Sequence, residues 1–418
     1  MKITLVTLGS RGDVQPYVAL AVGLQKAGHT ATLVAPATFA EWIHSYGVAV
    51  EPVRFNPQAV MQELGKGRGG WRTVGALLNA LKAGMQESQT QVWQAAQQCD
   101  YFIQSATGLG ALEVAAARGI PSAFAYLFPM TATREWPMIW FPWRFSLGGQ
   151  YNLFTHSLMM NLLWLVGGNM ANTWRKQLGL KPWRSYTESQ NYARQLGAPH
   201  LHGYSAHVLP KPADWDAHQN ITGYWFLEAP AAWQPPSDLL EFLENGPPPM
   251  YIGFGSMNLQ AGAQKTQHIL RALELSGQRG LLLTGWGGLS QRTAPPNVHF
   301  MDDAPHAWLF PRMAAVMHHG GAGSTGAGLR AGVPSLITPF AGDQRVWAER
   351  VVKLGVGPRA PQHRQLTAEK LAKVIQAAVH DSALRARAAA LGQKIRAEDG
   401  VARAVELIER HAGEFGKM

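Results

Sequence analysis

The 418-residue chain has a single cysteine, Cys99, so it can build no internal disulfide framework and suits a reducing compartment. Charge is sparse as well: Asp, Glu, Lys and Arg make up 15% of the residues. Set against an apolar share of 46%, that excludes an intrinsically disordered chain. Long apolar runs are missing. The longest, Leu158–Val166, is interrupted by Asn161 and falls far short of the ~20 residues that span a bilayer. The opening "MKITLVTLGSRGD" has one lysine and a brief apolar run before a Gly-Arg-Asp loop, which predicts a buried strand and no secretory leader. Acids are the scarcer sign, 27 against 37 basic residues, for a net charge of +10. That balance favours anionic partners. No nucleic-acid-binding module and no long basic run accompanies it, so the expectation is a cytoplasmic protein without nucleic-acid partners. Peripheral contact with the anionic inner face of a membrane fits the same balance.

What the chain does contain is a repeated alternation. It is too long for one hydrophobic core, so two domains are expected. "KITLVTLG", "TATLVAP", "VAVEPV", "YFIQSA" and "PSAFAYLF" read as strands separated by helical stretches. After the proline-rich "APAAWQPPSDLLEFLENGPPP" the pattern restarts with "MYIGFGSMN" and continues through "GLLLTG", "VHFMD", "AAVMHH" and "SLITPF". Near-continuous apolar strands alternating with helices predict parallel sheets covered on both faces. The fold class is therefore α/β, with two Rossmann-like doubly wound domains facing a central cleft at their strand ends. We place an N-terminal domain at 1–228, a linker at 229–248 and a C-terminal domain at 249–395. The stretch 396–418 is expected as a final helix that packs back on the N-terminal domain.

Three turns at expected strand ends carry polar groups suited to chemistry. In "TLGSRGDVQP" a strand runs into Ser10, Arg11 and Gly12, and Asp13 opens the next helix. Asp13 is either an ordinary helix cap or a carboxylate able to take a proton from a bound hydroxyl. In "FGSMN", Ser256 can donate both N–H and O–H, as a tight turn or as one lip of an anion cradle. The stretch "HHGGAGSTGAGLRAGVPSLITPFAGDQ" supplies the other lip: His319, then Gly321, Gly323 and Ser324 at a helix start, where free amides and the dipole favour phosphate. Asp343 and Gln344 close the following strand and are suited to sugar hydroxyls. Gly321, Gly323 and Gly326, with Asp343 downstream, also fit the dinucleotide fingerprint, so a nicotinamide-dependent dehydrogenase stays open on this pattern. No metal-ligand cluster and no Walker lysine follow. Between Phe128 and Trp174 the chain is crowded with Trp, Phe and Met and reads in its second part as one long helix from about Tyr151. We expect a pocket wall or lid for a large apolar ligand, with Phe128, Met130, Arg134, Trp136 and Trp140 contributing.

Taken together, "GSRGDVQP", "GYSAHVLPKPADWDAHQNITGYWF", "FGSM", the glycine-rich stretch and "ERVVKLGVGP" resemble nucleotide-sugar-dependent glycosyltransferases of the GT-B fold. Within that family the sequence is most similar to the sterol 3-beta-glucosyltransferases, with the bacterial enzymes that glycosylate glycopeptide and macrolide antibiotics nearby. The likeness covers nearly the whole chain and is weakest from about Asn56 to Gln98 and from Phe128 to Ser189. It implies inverting, metal-independent transfer of a hexose, commonly glucose from UDP-glucose, to a lipophilic alcohol, with no cofactor. Asp13 matches the family's base, a position where many relatives carry a histidine supported by a separate aspartate. Ser256, His319, Gly323 and Ser324 match its diphosphate contacts, and Asp343 and Gln344 its donor-sugar contacts. Where many plant relatives place a tryptophan and then a Pro-Gln pair, this chain reads "DDAPH", ending at His306; Trp286 is a second candidate neighbour of the base. A protein of this fold that only binds sugar nucleotide or lipid is the other alternative. Intact Asp13, Asp343 and Gln344 weigh against it.

Overall fold

Strands short enough to be crossed by a few apolar residues alternate with helices through both halves of the chain. The computed structural model describes residues 1–54, 86–141, 145–230, 233–255, 262–284, 294–340, 342–415 and 417. The chain divides into two units: Met1–Ala206, Pro210–Trp225 and Asp399–Met418 form unit 1, and His207–Leu209 with Phe226–Glu398 form unit 2.

Unit 1 holds strands β1 (Lys2–Val6), β2 (Thr30–Pro36), β3 (Ala49–Val53), β4 (Tyr101–Ser105), β5 (Ser122–Tyr126), β6 (His200–His202) and β7 (Gln219–Ile221). They form one sheet in the order β3-β2-β1-β4-β5-β6-β7, every pair parallel. Strand β1 is central, and its Leu5 lies level with Leu33 of β2 and Ile103 of β4. All three are fully buried. Each is worth roughly 1.5–3 kcal/mol, which is why the "ITLV" run carries no polar alternation. The helices are α1 (Arg11–Lys26), α2 (Ala40–His44), α3 (86–96), α4 (Ala111–Arg118), α5 (Gly149–Gln177) and α6 (Tyr186–Gln195). Order reverses between β1 and β4: the chain leaves β1 toward β2 on one side and returns through β4 on the other. The loops after those two strands therefore part and leave a crevice.

Helix α5 is held by its far end. Trp174 is buried, its ring against Gly110, where an added Cβ would lie 3.0 Å from the indole. Arg175 stacks on the Trp183 ring at 3.6 Å, reaches Glu113 at 3.6 Å and donates from Nε to the Lys181 carbonyl at 2.7 Å. No helix among the described residues is long and apolar enough to cross a membrane.

Unit 2 holds strands β8 (Met250–Gly253), β9 (Gly280–Leu283), β10 (Val298–Met301), β11 (Ala315–His318) and β12 (Ser335–Ile337), in the order β10-β9-β8-β11-β12, again all parallel. Its switch point lies between β8 and β11. The helices are α7 (Ser237–Glu244), α8 (Gly262–Ser276), α9 (His306–Leu309), α10 (Ala322–Ala331), α11 (Gln344–Lys353), α12 (Ala368–His380) and α13 (Ser382–Arg396). One core face joins Ile252, Met317 and Leu336 to Leu273 and Ile375. Residues 229–248, expected as a linker, instead hold α7. Leu239, Phe242 and Leu243 recur at helical spacing, and Leu239 is buried with Tyr251, Leu281 and Phe310.

Helix α14 (Gly400–Phe415) belongs to unit 1 and lies along α1. The approach is close because Gly23 faces it: a Cβ there would sit 2.1 Å from Val401 Cγ1. His411 fixes the other end, accepting at Nδ1 from the Tyr101 hydroxyl (2.8 Å) and donating from Nε2 to the Leu196 carbonyl (3.2 Å).

Candidate functional site

At the unit 1 switch point, α1 begins with Ser10 as its N-cap and Asp13 as its third residue. Asp13 is thus not the cap. Its Oδ2 accepts the Ser10 amide and the Ser10 hydroxyl, both at 2.8 Å, a capping arrangement that ties the carboxylate to the turn. Gly9 makes room for it, since a Cβ at Gly9 would lie 2.4 Å from both Asp13 Cβ and Oδ2. Burial raises the Asp13 pKa above the ordinary carboxylate value, and the two Ser10 bonds hold it back. The result is a carboxylate more basic than one in water.

A small pocket opens beside it, lined by Asp13, Tyr17, Ser105, Ala106, Thr107, Leu127 and Phe128. Its walls come from the first turns of α1 and from the ends of β4 and β5. Tyr17 donates its hydroxyl to the Ala125 carbonyl at 2.7 Å, which pins α1 to β5. Thr107 and Ser105 share a hydroxyl contact of 3.1 Å. Of the residues expected to wall an apolar ligand, Phe128 lines this pocket, and the half-exposed Trp140 packs against it at 6.0 Å between ring centroids. Met130, Arg134 and Trp136 are not among its lining residues. Trp136 instead packs edge-on against Trp215, and Arg134 is exposed, its backbone N–H bonded to Asp214. Arg11 and Gly12 are exposed, with Arg11 over the Trp42 ring at 4.9 Å.

Sequence reading missed Tyr17, Ser105 and Thr107. The signal was faint: "SATG" after a strand is an ordinary turn until β4 is known to pair with β1.

At the unit 2 switch point, β11 runs into His319, Gly320 and Gly321, and α10 starts with Gly321 as its N-cap. Gly320 has φ +95°, and a Cβ there would strike Ile337 at 2.4 Å, so only glycine fits this bend. The His319 ring sits between the two loops. A Cβ on Gly255, after β8, would lie 3.3 Å from its Cε1, and one on Gly321 would lie 2.7 Å from its Nε2. Burial lowers the His319 pKa to about 4, so the ring is neutral at pH 7 and offers one N–H, and its buried Nδ1 has no hydrogen-bond partner among the described residues. Helix geometry leaves the amides of Ala322, Gly323 and Ser324 without intrahelical acceptors, and the first turn carries no acid. A half-buried Ser324 and an exposed Gly323 stand at that end. Gly326 is buried within α10. It is Gly328, outside the fingerprint spacing, that lets α10 approach the sheet: a Cβ there would meet Ser335 Oγ at 2.7 Å.

Asp343 begins α11, where its Oδ2 accepts from Trp347 Nε1 at 2.9 Å; no side-chain capping bond forms. Gln344 is buried, and its Oε1 accepts from the Phe340 amide at 2.7 Å. His306 stacks on Phe310 at 4.2 Å, with Nε2 3.3 Å from the Tyr251 hydroxyl. Ser256 and Trp286 lie outside the described residues. Among the described residues, no three His, Cys, Asp or Glu are grouped so as to hold a metal ion.

Comparison with known proteins matches this architecture. Residues 3–137 match the glycosyltransferase family 28 N-terminal domain, and residues 288–409 match the C-terminal domain of erythromycin biosynthesis protein CIII-like proteins. A sterol 3-beta-glucosyltransferase of Cryptococcus neoformans is 35% identical across 98% of this chain, and one of Emericella nidulans is likewise 35% identical across 98%. The chain spans 27% and 30% of the length of those two relatives. Among solved structures, the glycotransferase of kitacinnamycin aligns with TM-score 0.72 at 21% identity, covering 98% of both chains. The calicheamicin glycosyltransferase CalG4 aligns with TM-score 0.70 at 19% identity, also over 98% of both. These matches leave the dinucleotide reading without support. With two parallel-sheet units of this order and a domain match in each half, the chain belongs to the GT-B-fold glycosyltransferases, with a family 28 N-terminal domain and an EryCIII-like C-terminal domain.

Proposed function

We propose that this protein transfers a hexose, glucose from UDP-glucose, to the hydroxyl of a sterol or a similar lipophilic alcohol, with inversion and without a metal. The observation that carries the reading is the buried Asp13 carboxylate at a strand-end crevice, with an apolar wall from Leu127 and Phe128 beside it. The sterol glucosyltransferase relatives support the acceptor class.

In this reading Asp13 removes the acceptor proton while the acceptor oxygen bonds to the anomeric carbon and the bond to the diphosphate breaks. Negative charge then grows on the departing diphosphate oxygen. The first-turn amides of α10, the Ser324 hydroxyl and the neutral His319 N–H donate to it. Ser256 belongs to the same anion contacts, and Ser10, Arg11, Gly12 and Gly321 contribute backbone near the donor. Asp343 and Gln344 hold sugar hydroxyls, and His306 and Trp286 are the candidate neighbours of the base.

The test is transfer from UDP-glucose to cholesterol, read by mass. Asp13→Asn should keep its unfolding midpoint and lose activity by about 10²–10⁴-fold. Retention within about tenfold would remove Asp13 from the role. Wild-type transfer should survive chelation, and an absolute divalent-metal requirement would overturn the assignment of the leaving-group contacts.

A further inference from the structure

Residues 136–187 contain five Arg or Lys and no Asp or Glu, in a chain that otherwise mixes both signs. The same stretch collects the exposed apolar surface. Of the ten large apolar side chains exposed among the described residues, seven lie between 140 and 165. They sit on the first two turns of α5, its middle and the loop before it: Phe145 is 55% exposed, Phe154 56%, Leu162 48% and Leu165 78%. Phe154, Leu158, Leu162 and Leu165 follow one another at intervals of three and four, so they share a helix face. Exposed cations stand at both ends of that helix. Arg134 packs its side chain against Gly149 at the start, and Lys176, Lys181 and Arg184 follow the end.

This surface is continuous with the Asp13 pocket. Phe128 lines the pocket, and Trp140, 36% exposed, packs on Phe128. From there the chain passes to Phe141, which meets Tyr151 of α5 edge-on at 6.3 Å, and Phe145 stacks on the same Tyr151 at 5.8 Å. Aromatic contacts thus stand at the pocket and at the start of α5, joined through the chain at Trp140 and Phe141. Apart from Trp136 and Pro137, the acid-free stretch lies outside both domain matches, which end at 137 and resume at 288.

We propose that α5 docks on the surface of an anionic lipid bilayer, lying in the interface with Phe154, Leu162 and Leu165 inserted. The flanking cations face headgroup phosphates, and the aromatic contacts deliver a membrane-dissolved acceptor to Asp13. Large apolar side chains on one face with cations beside them are what an interfacial helix requires, and α5 itself carries no acid. The delivery step rests on the proposed lipophilic acceptor; the docking does not.

Binding is therefore measured without substrate, by co-sedimentation with vesicles of phosphatidylcholine and phosphatidylglycerol and, in parallel, phosphatidylcholine alone. Wild-type protein should pellet with the anionic vesicles and more weakly with the neutral ones. The variant Phe154→Ser/Leu162→Asn/Leu165→Asn changes only exposed positions and should keep its circular dichroism and unfolding midpoint. Its partition should fall by more than about a hundredfold, since each inserted Leu or Phe is worth about tenfold. Transfer from UDP-glucose to cholesterol in those vesicles should fall with it, while transfer to cyclodextrin-solubilised cholesterol should not. Full recovery of wild-type protein in the supernatant overturns the proposal, as does equal pelleting of the variant. Sedimentation velocity covers the remaining occupant: a wild-type dimer that the variant makes monomeric, without vesicle binding, would assign the face to a second copy. Absence of transfer with intact vesicle binding would instead strike the proposed function and leave the docking surface standing.

Discussion

At the scale of single residues, the Asp13 carboxylate is set by two opposed effects. Burial raises its pKa, and the Ser10 amide and hydroxyl lower it. Ser10→Ala removes only the hydroxyl bond and so favours the protonated acid. The acid limb of the kcat/KM profile should move to higher pH, with the change at pH 8 within about tenfold. An unmoved limb would mean that another group governs it. Gly9 shows how far a local rule reaches here, since its missing side chain is the space that Asp13 occupies. Asp13 was legible in the sequence because an acid at a strand-to-helix turn is a local pattern. Ser105 and Thr107 were not, because they meet Asp13 only through the pairing of β1 with β4, about a hundred residues apart. Tyr17 lies one turn along α1 from Asp13, but its place in the pocket is set by its bond to β5 at Ala125.

Among elements, β6 is the one with the most unusual contents. His200 is half-buried and His202 fully buried, with pKa values lowered by burial to about 4 and about 3. His202 stacks on Trp215 at 4.4 Å, and its Nε2 lies 3.3 Å from Gln219 Oε1, where the hydrogen bond favours the ring N–H. In the unfolded chain these rings titrate near 6.5. Folded and neutral, they contribute full stability above that value, and the unfolded state takes up protons first as pH falls from about 6.5 toward 4. Unit 1 should therefore melt at lower temperature at pH 5 than at pH 7.5, measured by near-ultraviolet circular dichroism of Trp215 and its neighbours. Equal midpoints would show that the rings are charged in the folded state. Elements with four or more periodic apolar residues were readable from sequence, including α5 and the later strands of unit 2. The three-residue strands β6 and β7 were not: "HLH" and "QNI" have too few residues for a period to register, and their pairing with β5 and each other sets them. Helix α7 was obscured by the prolines on either side of it.

For the whole molecule, the seat of α14 on α1 is the feature with the longest sequence span. Gly23→Ala would gain up to ~1 kcal/mol of helix propensity but force a methyl onto the stiff Val401, a clash of about 1–3 kcal/mol. The clash should win, destabilising unit 1 by about 1 kcal/mol in urea unfolding. Adding Val401→Ala should restore most of it. If the double variant is no better than the single, the two helices are not in contact as described.

That seat also orders events during synthesis. Residues 226–398, which make nearly all of unit 2, are translated before the helix that completes unit 1. The downstream lobe can close on itself while the upstream one still shows the apolar flank of its first helix to nascent-chain chaperones. Birth order and completion order are thus reversed, and a stall in translation after Glu398 would release the first half of the protein as its unfinished part.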